Sequence, residues 1–160
     1  MDFNIVKANQ QTDFKAIKEL YYQTWTYDYI GIVPQKFLDH LTVDIWHPKE
    51  RVNNTLLATV SGKIVGICTY GPGRRKEFSN YGEVYSLYVL PKFQHQGIGR
   101  KLFQSTLDIL QEDFDNFYLL VLKDNLFAQA FCEMFEFEPI DEQVVENTAY
   151  GNLEYIILTK

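Results

Sequence analysis

A period-two apolar stretch, residues 83–90, runs into Pro91 and a short loop, and that loop ends in Gln94-His95-Gln96-Gly97-Ile98-Gly99-Arg100 at the head of an amphipathic segment. Strand, glycine loop and helix start, in that order, constrain this chain more than any other feature. The first-turn N–H groups of a helix have no partner inside it, and the helix dipole favours negative charge at that end. Gly97 and Gly99 let backbone approach a phosphate with no Cβ in between. The stretch therefore predicts a seat for an anion of pyrophosphate type.

Around it the pattern is mixed. Residues 3–8 alternate weakly, as a strand would. Thr12 or Asp13 is placed to cap a helix with Phe14, Ile17, Leu20, Tyr21 and Thr24 on one face. Residues 25–31 break the pattern. Pro34 suits the first turn of a second helix, and residues 42–52 read as helix interrupted by Pro48. Thr55–Val60, a Ser61-Gly62 turn and residues 63–70 form a hairpin. A polar loop, 71–81, leads to the strand at 82–90. The helix at 97–110 buries Ile98, Leu102, Phe103, Thr106, Ile109 and Leu110. Phe117–Leu122 is continuously apolar, as in a strand covered on both faces. A helix over 126–135 and a closing strand over 153–159 complete the chain. Strands and helices mix in one stretch of 160 residues without a linker, so an α/β fold in three layers, forming a single domain over residues 1–160, is expected.

Charge and cysteines narrow the function. A net charge of −6 argues against a nucleic-acid partner, which needs clustered Lys and Arg. Cys68 and Cys132 lack the spacing of a zinc site or a redox pair, so no metal is expected. No basic-plus-apolar leader follows Met1, and the longest apolar run is far short of the roughly 20 residues of a membrane span. A cytoplasmic protein without a membrane partner is the expectation. Aromatic residues reach 16%, which suits either a large core or the wall of a small-molecule cleft.

Two phosphate-binding motifs fail at the glycine loop. A dinucleotide fingerprint needs a small residue where Leu102 stands, and a P-loop needs Gly-Lys-Ser/Thr where the chain has Gly99-Arg100-Lys101. Instead Tyr88-Val89-Leu90-Pro91, the loop, and Gln94-x-x-Gly97-x-Gly99 resemble the acetyl-CoA-binding signature of the GNAT superfamily of N-acetyltransferases. Asn125-x-x-Ala128-x-x-Phe131 and Phe137 resemble a second segment of that family, and the order of elements matches over essentially the whole chain.

The resemblance implies a mixed, mostly antiparallel sheet with helices on both faces and a splayed central strand pair. It implies acetyl-CoA as co-substrate and a primary amine of a small molecule as acceptor, with direct transfer of the acetyl group. A protein lysine or N-terminal amine, or CoA binding without turnover, are the alternatives. It places the pyrophosphate on the backbone of Gln94, His95, Gln96, Gly97, Ile98, Gly99 and Arg100. The pantetheine arm lies along Leu87, Tyr88 and Val89, with Asn125 and Phe131 beside it. Asn125 can equally be a plain helix cap. A homodimer is possible within the family.

Catalytic roles follow by the same resemblance. A lysine-like amine has a pKa of about 10.4 and arrives protonated, so a proton must leave. Glu83 stands where several members carry a glutamate base; it can also be a strand-start carboxylate paired with a neighbouring loop. On an alternating strand Glu83, Tyr85, Leu87 and Val89 share a face, so Glu83 and Tyr85 line one cleft. A backbone N–H near Val89 serves as oxyanion donor. Where the family usually has a thiolate-protonating tyrosine, this chain has Cys132, which is either a substitute acid or a small buried hydrophobe. Glu136 replaces the usual glycine of the next turn.

The acceptor cleft is expected to draw on Trp25, Tyr27, Tyr29 and Tyr85, aromatic rings able to hold an alkyl ammonium by cation–π contact. The strand at 82–90 spans roughly 27 Å at about 3.3 Å per residue. Arg74-Arg75-Lys76 therefore lies at its far end from the pyrophosphate, where a solvated loop is expected.

Overall fold

The structure is a computed structural model describing residues 2–160. One seven-stranded sheet runs in the order β1-β2-β3-β4-β5-β7-β6. Its strands are β1 (Asn4–Lys7), β2 (Thr55–Val60), β3 (Lys63–Pro72), β4 (Gly82–Val89), β5 (Phe117–Leu122), β6 (Glu138–Thr148) and β7 (Gly151–Thr159). Four α-helices pack around it: α1 (Phe14–Asp28), α2 (Gln35–Asp39), α3 (Ile98–Leu110) and α4 (Leu126–Glu133). β1 to β4 pair antiparallel in chain order, with the expected hairpin as β2 and β3. The Ser61-Gly62 turn takes positive φ at both positions (50° and 79°), which matches the twist of a two-residue hairpin.

β4 and β5 are parallel and pair only at Gly82–Phe117 and Glu83–Tyr118. Beyond that point they part, and residues 86–89 of β4 keep β3 as their sole strand neighbour. The splay leaves an open strand edge in the middle of the sheet, where main-chain groups can pair with an extended ligand.

α1 begins as the sequence predicts, with the Asp13 carboxylate accepting from the Ala16 N–H at 3.1 Å. It buries Ile17, Leu20, Tyr21 and Thr24. α3 buries Ile98, Leu102, Phe103, Thr106, Leu107 and Leu110, so Leu107 takes the core place expected of Ile109. α3 sits close on β3 at Gly66, where an added Cβ would lie 3.0 Å from Leu102 Cδ1. The absence of a side chain at that point lets helix and sheet approach.

Four sequence expectations change. Residues 25–28, read as part of a break, form the last turn of α1, which runs to Asp28. Residues 42–52 hold two 3-10 turns, Val43–Ile45 and Pro48–Asn54, instead of a broken α-helix. The helix at 126–135 ends at Glu133. β6 was absent from the expectation altogether. It is an edge strand whose residues are mostly exposed, and its charges suit an edge that must not pair with other chains. Such a strand carries little apolar periodicity to read.

The turn after α4 keeps its geometry despite the replacement of glycine. Glu136 has φ +69°, while Phe137 N–H donates to the Cys132 carbonyl (3.2 Å) and Glu136 N–H to that of Glu133 (2.9 Å). This is a Schellman closure with a glutamate in the left-handed position, and Phe137 is buried behind it.

Candidate active site

The donor side is built from backbone. Gly97 caps α3 with φ +86° and no side-chain hydrogen bond. A Cβ there would meet nothing within 4 Å, so the loop opens on free space. Among the described residues, no carbonyl or side chain accepts from the backbone N–H groups of residues 95–100; the ladder starts with Lys101 N–H on the Gly97 carbonyl, at 3.1 Å. Six successive unpaired donors stand at the head of a 13-residue helix, an arrangement able to hold an anion.

Side chains hold this loop in place. Gln94 Nε2 donates to the Val89 carbonyl (2.9 Å) and to Asp28 Oδ2 (3.0 Å). It ties the loop to the end of β4 and to the last residue of α1, and its own backbone N–H donates to the Pro91 carbonyl at 3.4 Å. Burial raises the Asp28 pKa. His95, at φ +62°, lies exposed with its ring edge-on to Phe127. Asn125 caps α4, its Oδ1 accepting from Ala128 N–H at 3.1 Å, which leaves its NH₂ for other partners. Phe131 packs on Phe103 and reaches toward Gly99. The acetyl-CoA expected from the sequence thus meets a fitting frame: unpaired donors for an anion and an unpaired strand edge for an amide-bearing arm.

At the fork of β4 and β5 sits Glu83, only 2% exposed. Oε1 accepts from Arg74 N–H (2.9 Å) and from the Tyr118 hydroxyl, while Oε2 accepts from Arg74 Nε (3.2 Å) and Nη2 (2.6 Å). A carboxylate offers about four acceptor positions, and all are taken. Burial and the adjacent Glu83 push the Tyr118 hydroxyl up to about 12, so it stays protonated and donates. Of the two readings of Glu83, the carboxylate paired with a neighbouring loop is the one this geometry realises. Arg74, expected in a solvated loop, is instead its clamp.

The shared face assigned to Glu83, Tyr85, Leu87 and Val89 is corrected. Ser86 pairs with Thr69 and Val84 with Tyr70, so Tyr85 is an extra residue in β4. Such a β-bulge reverses the alternation beyond it. Tyr85, Ser86 and Tyr88 consequently line one cavity, whereas Val89 turns the other way, toward Gly99 on α3.

That cavity, about 160 Å³, lies on the α1 side of the sheet and is walled further by Tyr21, Trp46 and Arg51. Ser86 Oγ and Thr69 Oγ1 are 2.6 Å apart on its floor. Burial pushes the Tyr21 hydroxyl up to about 12 and also raises Tyr85 and Tyr88, so these groups are neutral near pH 7. Trp25 and Tyr29 do not line it. They pack with Val33 and Leu38 in a separate cluster and touch the site through Tyr88, whose hydroxyl accepts from Trp25 Nε1 at 3.2 Å. Tyr27 is 65% exposed. Arg51 and Trp46 escaped sequence reasoning because Arg51 stands at a kink inside Pro48–Asn54 and Trp46 in the extended link between the two 3-10 segments, where no periodicity marks a face.

Cys132 is 5% exposed in the main core. Burial, with Glu133 beside it, pushes its thiol up to about 12.

A family model described as the acetyltransferase (GNAT) family matches residues 14–137. The chain belongs to the GNAT acetyltransferase family. An uncharacterized N-acetyltransferase of Bacillus subtilis, YuaI, is 27% identical over 134 residues, covering 79% of this chain and 78% of the relative. Among solved structures, PH1933 from Pyrococcus horikoshii matches with a TM-score of 0.75 at 23% identity, over 99% of this chain and 98% of that one. The PaiA N-acetyltransferase of Thermoplasma acidophilum, solved in complex with coenzyme A, matches with a TM-score of 0.76 at 19% identity, over 100% and 99%. The YncA acetyltransferase of Salmonella typhimurium, solved with acetyl-CoA, matches with a TM-score of 0.72 at 18% identity, over 99% and 92%. These structures share the GNAT fold. Among the described residues, no helix is long and apolar enough to cross a membrane.

Proposed function

We propose that this GNAT protein moves an acetyl group from acetyl-CoA to the primary amine of a small molecule by direct attack, with no acetylated enzyme residue. One observation carries the reading: at the splay, β4 offers an unpaired main-chain edge on its β5 side and the wall of a compact cavity through its side chains. Donor and acceptor can meet across a single strand.

Bound acetyl-CoA supplies an acetyl group already activated as a thioester. The chain's own residues do the rest. The N–H groups of residues 95–100 hold the anionic end, and Leu87, Tyr88 and Val89 align the arm. A main-chain N–H near Val89 faces the developing oxyanion; fixed donors of this kind carry much of the rate enhancement in acyl transfer. Glu83 has no acceptor position left for a substrate proton, so it acts as the brace of the fork and the ammonium proton leaves to water. Cys132, with its thiol near 12, is a weak acid for a departing thiolate, and its role is packing. A cavity of about 160 Å³ suits a small acceptor, since pockets for drug-sized ligands run about 300–1,000 Å³.

The test is thiol release with acetyl-CoA and a panel of amino acids, alkyl amines, polyamines and lysine peptides, alongside calorimetric CoA binding. Steady turnover with small amines is expected. CoA binding without release from any acceptor would make the protein a binding module, and release with peptides alone would move it to the protein-modifying members.

A further inference from the structure

We infer that the acceptor carries a carboxylate, gripped by Arg51, in addition to the amine that is acetylated; this rests on the proposed transfer reaction and narrows its substrate. Two guanidinium groups stack on the Tyr85 ring, Arg74 with its Cζ at 4.1 Å from the centroid and Arg51 at 4.4 Å. Both residues line the cavity. Their charges are not equivalent. Arg74 is neutralised by Glu83. Arg51 has no carboxylate within ion-pair distance among the described residues, and no Asp or Glu lines the cavity.

A site of this kind repels a ligand that is only cationic. A polyamine would find like charge and no counterion, and the Tyr85 ring that could receive an ammonium already holds guanidinium groups. An anion has the opposite prospect. Stacking occupies the face of a guanidinium and leaves its N–H edge, a planar fork that matches a carboxylate bidentately. Arg51 approaches the cavity from the 3-10 turn, and Ser86 lies on the β4 wall beside the bulge. A short ligand can then lay its carboxylate on Arg51 and its amine toward the open edge of β4 beyond the fork, where the acetyl group would lie. Size agrees, because a cavity of about 150 Å³ takes a benzene-sized molecule. Amino acids of about six to nine non-hydrogen atoms fall in that range.

The probe is a series of ω-amino acids, from glycine to 5-aminopentanoate, each paired with its carboxamide. Calorimetry in the presence of CoA measures affinity without turnover. At least one carboxylate is expected to bind about tenfold or more tighter than its amide, the scale of a charge-assisted pair. Arg51→Gln is expected to bring that ratio close to one, and Arg51→Lys to restore part of it. Equal affinity within every pair, or a ratio unmoved by Arg51→Gln, overturns the inference. Absence of thiol release with intact carboxylate preference sinks the transfer reaction alone, so the two failures are distinct.

Discussion

The two sides of β4 are made in opposite ways. On the β5 side and in the loop beyond, the site is backbone: unpaired N–H groups of residues 95–100, set by local sequence, and a bare strand edge, left where β5 parts from β4. On the other side the site is side chains gathered from far apart, with Tyr21 from α1, Arg51 from a 3-10 turn, Thr69 from β3 and Tyr85 from the bulge. A backbone site recognises what every donor molecule shares, here an anion and an amide-bearing arm. A side-chain site can be rebuilt residue by residue without disturbing the sheet. The contrast teaches why a fold common to many acetyltransferases fixes the donor and leaves the acceptor to individual substitutions.

Three substitutions test that division. The largest effect is expected at Gly97, where φ is +86° and the Cβ position faces open space. Gly97→Val puts a branched side chain into the anion seat. The KM for acetyl-CoA should rise roughly tenfold to a hundredfold, the loss of one or two charge-assisted hydrogen bonds, while the KM for the acceptor stays within about twofold by the same scale. Steady-state kinetics with each substrate varied will show it; an equal rise in both would erase the distinction between the two sides.

Glu83 stands at the boundary between them. Glu83→Gln keeps the shape but cannot accept all four donors, so stability should fall by about 1–3 kcal/mol, read from denaturant melts. The pH profile of kcat should keep its acidic limb. Loss of that limb would restore Glu83 as the base and place proton transfer on the acceptor side.

The smallest effect is expected at Cys132. With a buried thiol pushed up to about 12, Cys132→Ser should leave kcat within about twofold and cost about 1 kcal/mol or more from the buried hydroxyl. A large fall in kcat with unchanged folding would return the proton donor to this position.

Much of the fold was readable because its signals are local. The capping of α1 by Asp13, the Ser61-Gly62 hairpin and the buried stripe of α3 each follow from spacing within a few residues. β6 escaped because its edge position permits polar residues on both faces, so no period marks it. The bulge at Tyr85 escaped for a different reason: a one-residue excess exists only relative to β3. The side-chain alternation beyond it was consequently misassigned. Arg74 read as solvated because its partner Glu83 lies on the other side of a turn whose conformation nothing in the sequence announces.

By itself, the sequence determined the loop that is proposed to hold the donor. Glycines at the head of a helix behind a strand dictate unpaired N–H groups wherever that segment folds, since the geometry lies within about ten residues. The acceptor side was decided only in the tertiary structure. Whether Glu83 is open or filled, which faces of β4 point where, and which arginine keeps an unbalanced charge all depend on segments distant in the chain. Those are pairwise facts of packing, register and electrostatics, and they come into being only when the sheet assembles.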